Sequence, residues 1–583
     1  MLRPRFLWSA VLAISAALPV WGRVLDSREP DMCLVPPGAQ PSLPAKLLSG
    51  QGKTDMAVTT KSDEARAFFN QGVSQLHSFW AIEAERSFLQ AATLDPNMAM
   101  AYWGISVAAA GDHRPSFQLL RRASEGGQSA NGATDATQIA RTTSGAALDG
   151  KIRAREAIQK AMSLRDKVSP RERAYIEAQW ARRNPATKDP DAEFVAALRR
   201  LVAGYPADLE AKSFLALALL YGYEQPSKAP RSGTLEGVRL LEEIVAADDD
   251  HFGAHHYLIH AYEGSRTPEK AWHACERYPQ LVTNIPHALH MPGHIYAQSD
   301  RLDDAVVAFT LAGANELTYL NADVLYPNGH HGHNIHFLIH SLNLEGRYAD
   351  SMLQVQHLLS FKESPRERKS DNRRSTWRQG HFGLVKTLVR FERWSEILDA
   401  RTLPHYDRPE QNAWIAWAVG LAHSATGGAA QAGAALEMMR ESVTQSKGTL
   451  EPLNIALLEL QATLEARAGA RAQSWKKFRK AADREAALIY TEPPAYPRPV
   501  VEGWGHVALA IGDFEAADRA YAEALDREPG SGRAYIGRAK SLAGLGRTAE
   551  SDDMRRRARK AWNNADVMLS ELVTERPVSA ASR

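Results

Sequence analysis

Thirteen of the chain's twenty histidines fall between His251 and His340. Three clusters stand out: His255, His256 and His260 followed by Glu263; His287, His290 and His294; and His330, His331, His333, His336 and His340. Each cluster holds a His-x-x-x-His step, in His256/His260, His290/His294 and His336/His340. Four residues make about one helical turn, so both imidazoles of a pair leave the same helix face. Histidine is the commonest metal ligand and the side chain that titrates nearest neutrality. Three kinds of chemistry fit the pattern: a transition-metal site, a polar surface of neutral hydrogen-bonding imidazoles, or core histidines satisfied by backbone. Imidazole-rich sites suit zinc, copper or iron. The scarcity of thiols, with only Cys33 and Cys275 in the chain, argues against a cysteine-type structural zinc. The His-Glu-x-x-His motif of zinc proteases is absent, because no glutamate follows the first histidine of any pair. His256, His260 and Glu263 form a two-histidine, one-carboxylate set on one helix. Facial coordination from a single helix would be strained, so the expected third ligand for His256 and His260 is His290 or His294.

What must position these residues is helical. From Asp63 onward Ala, Leu, Glu and Arg dominate, and Gly or Pro recurs at helix-length intervals. Internal repeats give the architecture. Counting from Ala65, positions 8, 20, 24, 27 and 32 are Gly72, Ala84, Phe88, Ala91 and Pro96. Counting from Arg498, positions 7, 8, 20, 24, 27 and 32 are Trp504, Gly505, Ala517, Tyr521, Ala524 and Pro529. On these residues the chain resembles the tetratricopeptide repeat (TPR) family from about residue 62 to about residue 563, in the manner of its exported bacterial members. The resemblance implies an all-α solenoid of about ten to twelve antiparallel helix pairs curved around a concave groove.

Registers set without any histidine then order the cluster. Ala271 at position 20, then Gly293, Ala305, Phe309 and Ala312 at positions 8, 20, 24 and 27, and the turn residues Gly346 and Tyr348 place three repeats at Phe252, Pro286 and Gly332. The last spacing implies an insertion around residues 318–331, in which Tyr319, Asp323 and Tyr326 are either an ordinary loop or a lid. His256, His290 and His336 fall at position 5; His260, His294 and His340 at position 9; His287 and His333 at position 2; Glu263 at position 12. In TPR-like proteins that stripe lines the concave groove, so the resemblance implies a site facing it. Two ions, or one ion between two repeats, is the arrangement that helices roughly 8–10 Å apart allow. His77 and His113 read as structural histidines, and Trp103, Trp414 and Trp417 as packing residues.

A length of 583 residues exceeds one ordinary core and fits a repeat array. The net charge of +2 implies no strong preference for nucleic acid. Arg3 and Arg5 precede a short apolar run over residues 7–18, the build of a cleaved signal peptide over residues 1–22. Such a run is too short to span a bilayer, so the expectation is a periplasmic or secreted protein without stable membrane insertion after cleavage. An irregular arm follows over 23–61, then TPR-like repeats over 62–121, a low-complexity loop over 122–150, helical repeats over 151–251, the His-rich repeats over 252–365, C-terminal repeats over 366–563 and a tail over 564–583. There is no phosphate-binding glycine loop, no Gly-x-Ser-x-Gly elbow and no dinucleotide fingerprint. Three functions therefore stand: an exported metal-binding solenoid, a scaffold taking a protein or peptide ligand in its groove, and a metal-dependent hydrolase or oxidase.

Overall fold

The computed structural model describes residues 44–118, 150–322, 326, 328–363, 375–406, 408–446, 450–491 and 493–566. The signal segment, Cys33, Asp323 and the loop up to residue 149 lie outside the described residues. In chain order the helices are α1 (Asp63–His77), α2 (Ala81–Leu94), α3 (Ala99–Ala110), α4 (Gly150–Leu164), α5 (Pro170–Arg183), α6 (Pro190–Gly204), α7 (Leu209–Leu219), α8 (Thr234–Ala247), α9 (Phe252–Tyr262), α10 (Trp272–Leu281), α11 (Pro286–Gln298), α12 (Leu302–Ala322), α13 (Gly329–Leu344) and α14 (Tyr348–Ser360). They continue as α15 (Thr376–Arg390), α16 (Trp394–Ile397), α17 (Pro409–Thr426), α18 (Ala429–Gln445), α19 (Glu451–Arg467), α20 (Arg471–Ala486), α21 (Val500–Ala510), α22 (Phe514–Arg527), α23 (Gly532–Gly544) and α24 (Thr548–Ala561). Among the described residues the only β pairing is two isolated bridges, Gln51 with Val282 and Tyr223 with Pro230. Local chemistry sets the ends: Ser62 and Asp513 accept from the backbone of Ala65 and Ala516, each at 3.1 Å, and Gly427 ends α17 in the left-handed region.

The fold is an all-α, TPR-like solenoid of antiparallel helix pairs. Its pairs close through the small and aromatic residues that the register singles out. A Cβ added to Gly72 would lie 2.7 Å from Phe88, one on Gly293 2.5 Å from Phe309, and one on Gly505 3.0 Å from Tyr521. Position 8 must therefore lack a side chain for the position 24 ring to seat. Most buried apolar side chains form one contiguous core from Met56 to Ala534, with small separate clusters at Phe391 and Trp562 and at Ala539, Leu542 and Met554. The insertion expected over residues 318–331 is taken up largely by helix, since α12 reaches Ala322 and α13 begins at Gly329.

Both ends of the solenoid return to its middle. The arm is irregular but packed: Gln51 donates to Tyr319 Oη at 2.9 Å, and Asn284 and Thr283 donate to Gly50 O at 2.8 Å. From the other end, Trp562 Nε1 donates to Leu344 O at 2.7 Å, and Asp566 accepts from Tyr348 N and Ala349 N at 2.7 Å.

Candidate metal centre

The histidine faces of α9, α11 and α13 are turned toward one another, but they do not line an open groove. His256 and His290 are 0% exposed, His260 2%, His294 6%, His336 4% and His340 7%. Over His256, His260 and His287 part of the cover comes from some 180 residues upstream in the chain, where the turn after α1 lays down Phe79 and Trp80, while Phe309 and Phe337 pack on His290 and His294. The Phe79 ring sits 4.4 Å from His256, 5.0 Å from His260 and 5.6 Å from His287, and Trp80 meets His330 at 5.4 Å. The expectation of a stripe lining an open groove is thus corrected: the position 5 and position 9 histidines are buried, while His287 and His333 at position 2 are half-buried.

His256, His260 and His287 each bring one ring nitrogen within 4.8 Å of the other two. Their Nδ1 atoms are all engaged. His256 Nδ1 faces His77 O, His260 Nδ1 faces Glu263 Oε2 at 3.0 Å, and His287 Nδ1 faces His330 Nε2 at 3.2 Å. His330 Nδ1 in turn faces Glu316 Oε2 at 3.0 Å. Carbonyls and ionised carboxylates only accept, so every Nδ1 in these chains must donate. In the neutral ring that leaves the lone pair on Nε2. The Nε2 atoms of His256, His260 and His287 are buried without a hydrogen-bond partner. Three bare imidazole nitrogens, backed by a carbonyl for His256, a carboxylate for His260 and the Glu316-bound His330 imidazole for His287, have the kind of outer-sphere support that metal-ligating histidines characteristically have.

A second set repeats the first one repeat further on. His290, His294 and His333 bring ring nitrogens within 4.8 Å of one another. As before, an i, i+4 pair on one helix is joined by an imidazole from the start of the next repeat. Glu263 links the sets: its Oε2 meets His260 and its Oε1 accepts from His294 Nδ1 at 2.9 Å. Burial alone would raise the Glu263 carboxyl, but the neighbouring His260 and the hydrogen bonds from His260 and His294 outweigh it and hold it well below the usual carboxylate range. Glu316 is likewise held down by His330 and His331 against its burial.

The sequence-predicted residues thus separate. His256 and His260 take their third neighbour from His287, not from His290 or His294, because the position 2 residue of the next helix lies nearest the pair. Glu263 sits behind two imidazoles instead of beside their free nitrogens. His336 and His340 meet no third imidazole among the described residues; His336 Nδ1 faces Gln379 Oε1 at 2.5 Å. His255 packs outward, its Nε2 on Asp249 O at 2.8 Å. Tyr319 meets Trp80 edge-on at 5.8 Å and Tyr326 stacks on it at 6.1 Å, which joins the insertion to the N-terminal turn. Missed by sequence reasoning were Phe79, Trp80, Glu316 and Asn334; nothing local ties the first two to the cluster. His77, read as structural, is hydrogen-bonded to Tyr257 Oη at 2.9 Å and lends its carbonyl to His256.

Burial above all, reinforced by nearby positive charge, lowers the imidazoles. His336 and His340 fall well below the ordinary range beside Lys386, and His381 falls to about 4 beside Arg378. His256, His287 and His290 are also depressed, chiefly by burial. The unfolded chain binds protons near pH 6.5 that these folded imidazoles refuse, so stability rises with pH through that window and falls below it. Glu345 and Glu485, raised to about 7 by burial, act in the opposite sense but are outnumbered. Chelator-treated protein should therefore lose at least about 1.4 kcal/mol per pH unit below about pH 6.5. Urea midpoints at pH 7.5, 6.5 and 5.5 measure this, and a midpoint that stays level or climbs toward pH 5.5 contradicts it.

No protein-family model matches the chain, and no curated protein matches it. Among solved structures it is similar to the human IFIT1 dimer with m7Gppp-AAAA, at 9% identity and a TM-score of 0.29, over 86% of this chain and 91% of that one. It is similar to yeast Tom70 at 13% identity and a TM-score of 0.24, over 88% and 87% of the two chains. The APC/C hetero-tetramer Cut9-Hcn1 matches at 10% identity and a TM-score of 0.27, over 88% of this chain and 96% of that one. At such distances nothing those proteins bind is carried over to this chain.

Proposed function

We propose that this protein is a metal-binding solenoid that holds a first-row transition-metal ion, zinc, copper or iron, on His256, His260 and His287. One observation carries the reading: three buried Nε2 atoms lack partners while the opposite nitrogen of each ring is fixed by a carbonyl, a carboxylate or a carboxylate-backed imidazole. Burying three such acceptors unmet costs roughly 1–3 kcal/mol each, a cost that a shared cation removes. Three imidazoles also fall one short of the four ligands zinc prefers, leaving a place for water or a small anion. Export to the periplasm or the cell exterior belongs to the same proposal, supported by Arg3, Arg5 and the apolar residues 7–18.

Elemental analysis of the full chain, as purified and after loading with zinc, copper or iron followed by dialysis, tests the reading. Metal is expected at one equivalent or more, with at least a tenfold weaker affinity in His256→Ala/His287→Ala. A chain that stays metal-free with all three ions sinks it. A protein or peptide partner is a second reading, favoured by the repeat architecture itself, whose stacked helix pairs leave extended surfaces outside the histidine cluster.

A further inference from the structure

We infer that the protein holds a second first-row transition-metal ion, on His290, His294 and His333, so that two ions sit side by side behind one shared carboxylate. The inference extends the reading of the first site but stands on its own observation. His290 Nε2 and His294 Nε2 lie 2.7 Å apart. Asn334 Nδ2 donates to Phe309 O at 2.8 Å, which turns Asn334 Oδ1 toward His290 Nδ1, also at 2.8 Å. An amide oxygen accepts only, so His290 Nδ1 carries the hydrogen and His290 Nε2 the lone pair. On the other side the Glu263 carboxylate accepts from His294 Nδ1 at 2.9 Å, which leaves the His294 Nε2 lone pair facing that of His290.

Two lone pairs at hydrogen-bond distance repel unless a positive species joins them. A proton on one ring does so, and so does a metal ion that both rings ligate. Donors about 2.0–2.1 Å from one ion sit roughly 3 Å apart, close to the separation here. What favours the metal is the third donor. A proton needs two nitrogens, yet His333 brings a third ring nitrogen within 4.8 Å of both. Phe337 at 4.5 Å from His294 and Phe309 at 5.0 Å from His290 wall the group with apolar rings, which strengthens any charge interaction inside.

The repeat explains the duplication. Each ion takes the position 5 and position 9 imidazoles of one first helix and the position 2 imidazole of the next. The series ends at the third step, where His336 meets Gln379. His287 and His290 have ring centroids 5.9 Å apart, so the two sites are immediate neighbours on α11. Glu263, at the end of α9, orients one ligand of each ion with its two oxygens.

Zinc equivalents and the cobalt(II) visible spectrum of the full chain test the inference. A His273→Ala background breaks up a further donor group, Asp249, His255 and His273, by removing its exposed imidazole. Two tight equivalents are expected in that background, one after His287→Gln, one after His333→Gln, and none with both. His287 and His333 are only half-buried, and each variant is checked for an unchanged urea midpoint in chelator. The background protein decides the count of two by itself, without either substitution. A single equivalent that disappears with His287→Gln and survives His333→Gln overturns the second ion and leaves the first site standing, a proton alone joining His290 and His294. A single equivalent with the reverse pattern overturns the first site and supports the second. No bound metal overturns both.

Discussion

Glu263→Gln is expected to weaken one of the two sites about 10–100-fold and to destabilise the metal-free chain by about 1.5–3 kcal/mol. The substitution keeps the size of the side chain and changes only what its two atoms do. Glu263 accepts from His260 Nδ1 at 3.0 Å and from His294 Nδ1 at 2.9 Å. Gln offers one acceptor and one NH2 donor. The ring that meets the NH2 must turn its lone pair to Nδ1 and carry its hydrogen on Nε2, where it can no longer bind metal. The other ring keeps its acceptor. Affinity is therefore lost at one site and largely kept at the other, a split that general loosening of the fold would not give. The stability loss follows from replacing two charge-assisted buried hydrogen bonds by neutral ones. Competition of each site against a chromogenic chelator reads the affinities, and urea unfolding reads the stability. Two sites of unchanged affinity in Glu263→Gln would show that the carboxylate does not set the tautomers.

Phe79→Ala should cost about 3–5 kcal/mol and speed metal release at least tenfold. Its ring closes over His256, His260 and His287, and also stacks on Tyr257 at 5.8 Å. Removing it opens a path for water to nitrogens otherwise sealed. Phe79 further has a φ of 51°, a left-handed backbone that costs a side-chain-bearing residue roughly 1–2 kcal/mol and glycine almost nothing. Phe79→Gly should accordingly be more stable than Phe79→Ala, the reverse of the usual order within helices. Release is timed by stopped-flow capture with excess chelator. Wild-type stability and release in Phe79→Ala would mean that the N-terminal turn does not seal the centre.

How far the site could be read in advance varied residue by residue. His256/His260 and His290/His294 are legible because an i, i+4 step fixes a shared face whatever the surroundings. His287 and His333 are legible as a column, but which pair each one meets depends on the offset between successive repeats. That is why His290 or His294 was the expected partner of His256 and His260, where the folded chain supplies His287. Glu263 was visible as a carboxylate near imidazoles. Its place behind two of them depends on where α9 ends and how the chain turns toward Gly264, whose φ is 70°.

The sequence by itself determined the helical solenoid, its register and the His-x-x-x-His pairs that share a helix face. All three follow from short-range rules: helical period, the need for Gly72, Gly293 and Gly505 beneath Phe88, Phe309 and Tyr521, and repeat spacing. Only the tertiary structure decided that the paired histidines are buried, that they form two sets of three, and that His336 and His340 stand apart. Those outcomes depend on contacts between residues far apart in the chain, Phe79 with His256 and Glu263 with His294 among them. The curvature that sets them sums small rotations from every helix pair, and no single stretch of sequence encodes it.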